Sequence, residues 1–234
     1  MNGIWDMHTH VLPGVDDGSK TVAQSIEMLQ RMAEQGIQHV IATPHFYPQQ
    51  DSPERFLRRR REAQMRLYEE MQKYRGLPTV SMGAEVYFFH GISDSEAVDE
   101  LTIGPKKCIL IEAPHGPWDA SIYRELEALY VRRGMLPIVA HLDRYIRPLR
   151  TQGIPKRLAQ MPVMVQVNAE FFLERATSGM AMRMLREGRI HLLGSDCHNL
   201  ASRKPNLGAA IERIEKKLGQ EALEHIMACQ QDVL

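Results

Sequence analysis

Seven short apolar runs, each followed by a charged or amphipathic stretch, set the limits on how this chain can fold. They are Gly3–Met7, Gln38–Ala42, Thr79–Ala84, Cys108–Ile111, Pro137–Ala140, Val163–Val167 and Ile190–Leu193. Most are apolar on both faces, the pattern of parallel strands covered by helices. Between and after them, helical periodicity predicts Thr21–Gln35, Ser52–Arg75, Asp119–Arg133, Ile154–Gln160, Ser178–Glu187, Asn206–Leu218 and Glu221–Ala228. Gly36, Gly134 and Gly188 supply C-terminal stops. Alternation repeated seven times within one domain's length predicts an α/β fold, a (β/α) barrel with fewer than the usual eight strands. An open doubly wound sheet is the alternative.

Composition narrows the function classes. The 234 residues carry 29 basic and 29 acidic side chains. No global field is present to attract nucleic acid or an anionic membrane. Cys108, Cys197 and Cys229 are odd in number and widely spaced, so neither a disulfide framework nor a zinc knuckle is expected. There is no apolar run of about 18 residues to span a bilayer. Residues 1–10 have no basic segment followed by an apolar one. A cytoplasmic protein without direct membrane insertion is the expectation.

The polar residues fall where a barrel would collect them. The first strand runs out into His8-Thr9-His10, and residues two apart on a strand point the same way. The second ends in Thr43-Pro44-His45, the third in Gly83-Ala84-Glu85 and the fourth in Ile111-Glu112. The fifth ends in Ala140-His141 and the seventh in Gly194-Ser195-Asp196-Cys197-His198. Asp16-Asp17-Gly18 follows the first strand on the same rim. In a parallel barrel all these ends lie on one face, where active sites form. Ten histidines and 29 acids scattered at random would not choose strand ends so regularly. Histidines mixed with carboxylates and no clustered thiolates suit manganese, iron or zinc at an open multinuclear site. Such a site ionises water near neutral pH and binds both oxygens of a phosphoester in displacement. Arg144 and Arg203 follow ligand positions closely, and guanidinium binds phosphate through paired hydrogen bonds. A surface salt bridge is the plainer reading of each.

Several segments together carry a resemblance. They are His-x-His, Leu-Pro-Gly-Val-Asp-Asp-Gly-Ser-Lys, Ala-Thr-Pro-His, Gly-Ala-Glu-Val, Ile-Glu-Ala, Ala-His-Leu-Asp-Arg, Gln-Val-Asn-Ala and Gly-Ser-Asp-Cys-His-Asn-Leu. Over about residues 3–208 the chain resembles the polymerase and histidinol phosphatase (PHP) superfamily. Within it, the sequence is similar to the CpsB/YwqE-type bacterial tyrosine-protein phosphatases of capsule and exopolysaccharide loci. The resemblance implies a distorted seven-stranded TIM-like barrel, one PHP-type domain over residues 1–234, holding three divalent ions. Manganese is the preferred metal, with iron or zinc also accommodated. One ion would sit with His8, His10, Glu85 and Asp196. A second would share Glu85 and add Glu112 and His141, and a third would take Asp17, His45 and His198. Asp17 also counts among the catalytic residues, with Arg144 and Arg203 as phosphate-binding arginines. The implied substrate is phosphotyrosine on the tail of a cognate bacterial tyrosine kinase, hydrolysed by metal-bound hydroxide. The sequence leaves open which of Asp16 and Asp17 faces the metals, and a homo-oligomer is compatible with it.

Other readings share these residues. A small-molecule phosphatase of the histidinol-phosphate type would use the same metals. An exonuclease would need a basic groove. A non-catalytic kinase-docking module would be expected to have lost ligands. Cys197 and Arg203 fit the C-x5-R spacing of cysteine-dependent phosphatases, but no glycine intervenes and Cys197 lies between two ligand positions. Arg58-Arg59-Arg60-Arg61 reads first as a solvated helix face paired with neighbouring glutamates, and second as a platform for an acidic phosphorylated peptide or a self-association face. Trp118 and Tyr145 stand beside the rim, where stacking on a tyrosyl ring and simple packing are both open. His39, His90, His191 and His225 are not expected to be ligands.

Overall fold

The computed structural model describes residues 3–146 and 153–234. Among the described residues the seven apolar runs become nine strands, because after the second and third runs the chain breaks and resumes as a short extra strand. β1 (Asp6–Thr9) comes first; β2 (His39–Ala42) is followed, beyond the end of its run, by β3 (His45–Phe46), and β4 (Thr79–Met82) likewise by β5 (Glu85–Tyr87). β6 (Cys108–Glu112), β7 (Leu136–Val139), β8 (Met164–Asn168) and β9 (Leu192–Gly194) follow. Pro44 has no N–H to give a ladder, which accounts for the first break. The segments across the breaks stay tied: Thr43 N donates to Thr9 O, Gly83 N to Ala42 O and Glu85 N to Pro44 O.

One sheet has the order β1-β2-β4, the other β3-β5-β6-β7-β8-β9, and every strand pair is parallel. The chain is therefore an α/β fold with curled parallel sheets. Backbone bonds also join the first strand to the segment after the last: Asp196 N donates to His8 O at 2.8 Å and His10 N to Cys197 O at 3.0 Å.

The principal helices are α1 (Val22–Glu34), α2 (Pro53–Met71), α3 (Ala120–Arg133), α4 (Asp143–Ile146), α5 (Gly153–Leu158), α6 (Ala169–Leu173), α7 (Ser178–Arg186), α8 (Leu207–Leu218) and α9 (Gln220–Gln231). Caps stand where the sequence places them: Thr21 and Ser52 accept from the third N–H of α1 and α2, and Gly134 closes α3 with φ +62°. α2 ends four residues before the expected Arg75. The short α4 and α6 were not among the expected helices; they are single turns held by tertiary packing, too short for periodicity to register. No helix among the described residues is long and apolar enough to cross a membrane.

The core has two parts. The larger lies between sheets and helices, and includes Leu29, Phe56, Leu126, Phe172 and Ile214. A smaller inner cluster gathers Met7, Ile41, Leu110, Ile138, Met164 and Leu192 from successive strands, with Trp5, Ile103 and Val233 beside them. The alternation along each strand continues upward from this cluster. Two residues beyond Leu110 is Glu112, two beyond Met164 is Gln166, and two beyond Leu192 is Gly194. β1 breaks the alternation with a register shift between Asp6 and Thr9. Such a shift re-aims side chains, and Met7 and His8 both serve the interior.

Gly194 sits where β9 crosses β1. A Cβ there would lie 2.6 Å from His8 Cβ and 2.7 Å from Gln166 Nε2. Gly194→Ala should therefore cost about 2 kcal/mol, read as a lower denaturation midpoint in chelator. An unchanged midpoint would contradict this close approach.

Candidate metal centre

Glu85 occupies the middle of the polar interior and is almost fully buried. Its Oε2 lies 3.0 Å from His8 Nε2, 3.3 Å from His10 Nε2 and 2.9 Å from His45 Nδ1, while Oε1 meets His141 Nε2 at 2.7 Å. The parallel register pairs His45 with Glu85 and Tyr87 with Glu112, placing three ligand candidates on adjacent strands. Burial opposes ionisation of Glu85, but the surrounding imidazoles outweigh it and hold the carboxyl well below its usual range. Glu112, 3.8 Å from His141 and 3.9 Å from His45, is pushed up to about 7 by burial and by the charge on Glu85.

His10 is oriented from behind. Its Nδ1 meets Asp16 Oδ2 at 2.7 Å, and Asp16 also accepts from the N–H groups of His45 and Gly18. Despite burial, these contacts keep the Asp16 carboxyl below the ordinary range. A ring fixed through Nδ1 turns Nε2 to the centre, the arrangement of carboxylate–histidine–metal sites. Gly18 permits the loop to close there, since a Cβ would lie 2.4 Å from the His10 Cβ. Asp17, next in the chain, is 66 % exposed and places Oδ1 3.3 Å from His198 Nε2 and 3.6 Å from His45 Nε2. The choice between Asp16 and Asp17 thus has two answers: Asp16 braces a ring and Asp17 faces the ring nitrogens.

His198 is fixed the same way, with Nδ1 3.0 Å from the Asp196 carbonyl. Burial and the neighbouring His10 drive its pKa down to about 3, so a lone pair is available at neutral pH. Asp196 Oδ1 lies 3.3 Å from His10 Nε2 and 3.7 Å from His8 Nε2. Both arginines converge on this carboxylate, Arg203 at 2.7 Å on Oδ1 and Arg144 on Oδ2. They are half-buried and shared with a candidate ligand, which sets aside the plain surface salt bridge. A cleft of about 480 Å³ opens beside them, lined also by Asn168, Ser195 and His115.

The donor set fits divalent cations. His8 Nε2 and His10 Nε2 face each other at 3.2 Å. His45 Nδ1, Glu85 Oε2 and His198 Nε2 are buried without a hydrogen bond of good geometry. Donor atoms about 3 Å apart match the edges of a coordination shell with bonds of about 2.1 Å. Among the described residues, three groups have ligand atoms all within 4.8 Å of one another: His10, Asp17, His45 and His198; His8, His10 and Glu85; and His45, Glu85 and Glu112. The first contains the whole expected third set, with His10 added. The second contains the expected first set without Asp196, whose Oδ1 lies near His8 and His10 but is also held by Arg203. The third contains Glu85 and Glu112, with His45 in the place expected for His141.

The residues behind these donors were not among the expected site residues. Gln166 Oε1 accepts from His8 Nδ1 at 3.2 Å and from the His141 N–H at 2.7 Å. Its Nε2 donates to Asn168 Oδ1, and Asn168 Nδ2 donates to Asp196 Oδ2, both at 3.0 Å. β8 has none of the nine predicted ligands, yet its two inward amides connect to three of them. A Gln-x-Asn on a buried strand was the available signal, since buried amides need partners.

The other expectations resolve by location. Cys197 is fully buried in the core, and burial pushes its thiol well up, which removes the nucleophile reading. Tyr145 is buried and its hydroxyl accepts from the Ala113 N–H, so it packs; Trp118 lies against it at 5.3 Å between ring centroids. His39 packs on Trp5, and His191 and His225 lie together away from the centre. The arginine run does not pair with the expected glutamates: Arg60 donates to the Gly83 and Glu100 carbonyls, and Arg59 pairs with Asp51.

Residues 4–233 match the family described as capsular polysaccharide synthesis, CpsB/CapC. The chain belongs to the CpsB/CapC family. It is 27 % identical over 225 residues to the tyrosine-protein phosphatase YwqE of Bacillus subtilis, covering 92 % of this chain and 85 % of that one. It is 25 % identical over 236 residues to the tyrosine-protein phosphatase CpsB of Streptococcus pneumoniae, covering 94 % and 93 %. A solved structure from work on YwqE and CpsB, described there as unique metal-dependent tyrosine phosphatases, superposes with a TM-score of 0.86 at 25 % identity, covering 98 % of this chain and 94 % of that one.

Replacing Gln166 by Met, close in volume but without the amide's strong oxygen acceptor or its N–H donors, should lower affinity for divalent metal about 10- to 100-fold. Competition with a metallochromic chelator measures this, and unchanged affinity would make Gln166 a packing residue only.

Proposed function

We propose that this protein is a metal-dependent protein-tyrosine phosphatase. The observation that carries the reading is Glu85, ringed by His8, His10, His45 and His141 with a second carboxylate, Glu112, beside it. So many electron-pair donors facing one buried carboxylate call for cations. The relatives named as tyrosine-protein phosphatases support the choice of reaction. The ladder pairings support a distorted seven-stranded TIM-like barrel of the PHP type, with broken strands counted once and β1 closing on the segment after β9. One such domain spans residues 1–234.

Three divalent ions fit the set His8, His10, Asp17, His45, Glu85, Glu112, His141, Asp196 and His198, with manganese first and iron or zinc next. When bound, they supply a water ionised near neutral pH and positive charge against the phosphoryl oxygens. The chain's own groups do the rest. Arg144 and Arg203 present guanidinium N–H groups at the mouth of the cleft beside them and would exchange part of their hold on Asp196 for the incoming phosphate. Asp16, Gln166 and Asn168 keep the ligand side chains aimed while that exchange takes place. The substrate in this reading is phosphotyrosine on the tail of a cognate bacterial tyrosine kinase in capsule or exopolysaccharide synthesis, met in the cytoplasm.

With manganese, the purified protein should release phosphate from phosphotyrosine peptides faster than from histidinol phosphate or DNA ends. A preference for histidinol phosphate would favour the small-molecule reading. Chelator should abolish the activity and added metal restore it. His141→Ala and Asp196→Ala should each lower kcat/KM by about 100-fold or more. Cys197→Ser should retain most activity; near-total loss with the fold intact would return the thiol to the mechanism. Chelated, metal-free protein working at full rate would overturn the proposal.

A further inference from the structure

The arginines of α2 divide by what their guanidiniums touch. Arg60 and Arg66 are committed to backbone carbonyls, those of Gly83, Glu100 and Pro13. Arg55 and Arg59 instead stand one turn apart on the wall of a second cleft, of about 300 Å³, which also reaches Asp17, His45 and Tyr47. This cleft adjoins the metal centre and is distinct from the one holding Arg144 and Arg203.

Both guanidiniums lean on a single carboxylate. Asp51, with only 8 % of its side chain exposed, takes Arg55 on Oδ1 and Arg59 on Oδ2. Two cations share one anion, so the pair keeps a net positive charge. Arg55 also donates to the Gln50 carbonyl. The Nε of Arg59 is buried without a partner, while 42 % of the side chain remains exposed. A guanidinium has five N–H donors, and Arg59 spends one here. Tyr47, half-buried, stacks on His45 at 5.1 Å and forms the cleft's aromatic side.

We propose that this second cleft docks an acidic side chain of the polypeptide that carries the phosphotyrosine, with Arg55 and Arg59 as its specificity-determining residues. The inference rests on the phosphatase reading, which it deepens by naming a substrate class: tyrosines flanked by aspartate or glutamate. Asp51 holds the two guanidiniums in place, and the incoming carboxylate supplies the second negative charge that the pair lacks. Charges on a rim act mostly through encounter and salt dependence, so the effect belongs in KM and not in kcat.

The test uses full-length, manganese-loaded protein and peptides carrying phosphonomethyl-phenylalanine, a non-hydrolysable stand-in for phosphotyrosine. Wild type should bind the peptide with glutamate flanks about threefold to tenfold more tightly than one with alanine flanks, a difference that shrinks with salt. Arg55→Ala/Arg59→Ala should erase the difference, and Arg59→Glu should move the preference to lysine flanks, which misfolding cannot do. Hydrolysis of a small aryl phosphate should be unchanged in these variants. Failure of that hydrolysis in wild type would strike the phosphatase reading, while the binding preference still decides the docking. Equal binding of glutamate- and alanine-flanked peptides by wild type, or a glutamate preference surviving in Arg59→Glu, would overturn the proposal.

Discussion

The buried carboxylate of Glu85 is the interaction on which the rest of this structure depends. It touches four imidazoles from three separate segments, and, buried as they are, neither it nor Glu112 would keep its charge without positive partners. The neighbouring carboxyl shows the strain, standing near 7 where a free glutamic acid ionises near 4.5. Divalent ions relieve both problems together, which is why the metal reading follows from electrostatics before any relative is considered.

The fold supplies this cluster by local departures from regularity. The register shift in β1 brings His8 to the interior beside Met7. The breaks at Thr43-Pro44 and Gly83-Ala84 carry His45 and Glu85 onto separate short strands in mutual register. His141 and Asp196 adopt left-handed φ values of +32° and +50°, unusual for residues with a side chain. Each is held by an N–H bond, His141 to Gln166 Oε1 and Asp196 to His8 O. Irregular backbone at strand ends is where a regular parallel sheet yields to a site.

Legibility in the sequence tracks the range of the interaction. The seven runs, the longer helices between them and the chemistry at strand ends depend on residue type and period, so these could be read directly, whereas the single turns α4 and α6 could not. What depends on contacts between distant segments could not. The divided duties of Asp16 and Asp17 arise from which ring nitrogens the loop meets after Gly18 lets it close. Gln166 and Asn168 look like polar intrusions in an apolar strand until His8, His141 and Asp196 are seen around them. The arginine run reads as one solvated face, yet within and beside it Arg60 and Arg66 tie to backbone carbonyls while Arg55 and Arg59 share Asp51.

Two clefts flank the centre, one with Arg144 and Arg203 for a phosphate, the other with Arg55 and Arg59 beside Tyr47. Both readings presuppose ions around Glu85. Anomalous diffraction at the manganese edge, from crystals grown with manganese, tests that most directly. Ion peaks are expected within about 2.0–2.3 Å of the histidine and carboxylate donors, with Glu85 shared between two of them. Crystals of protein active with manganese but with no anomalous peak near Glu85 would contradict it.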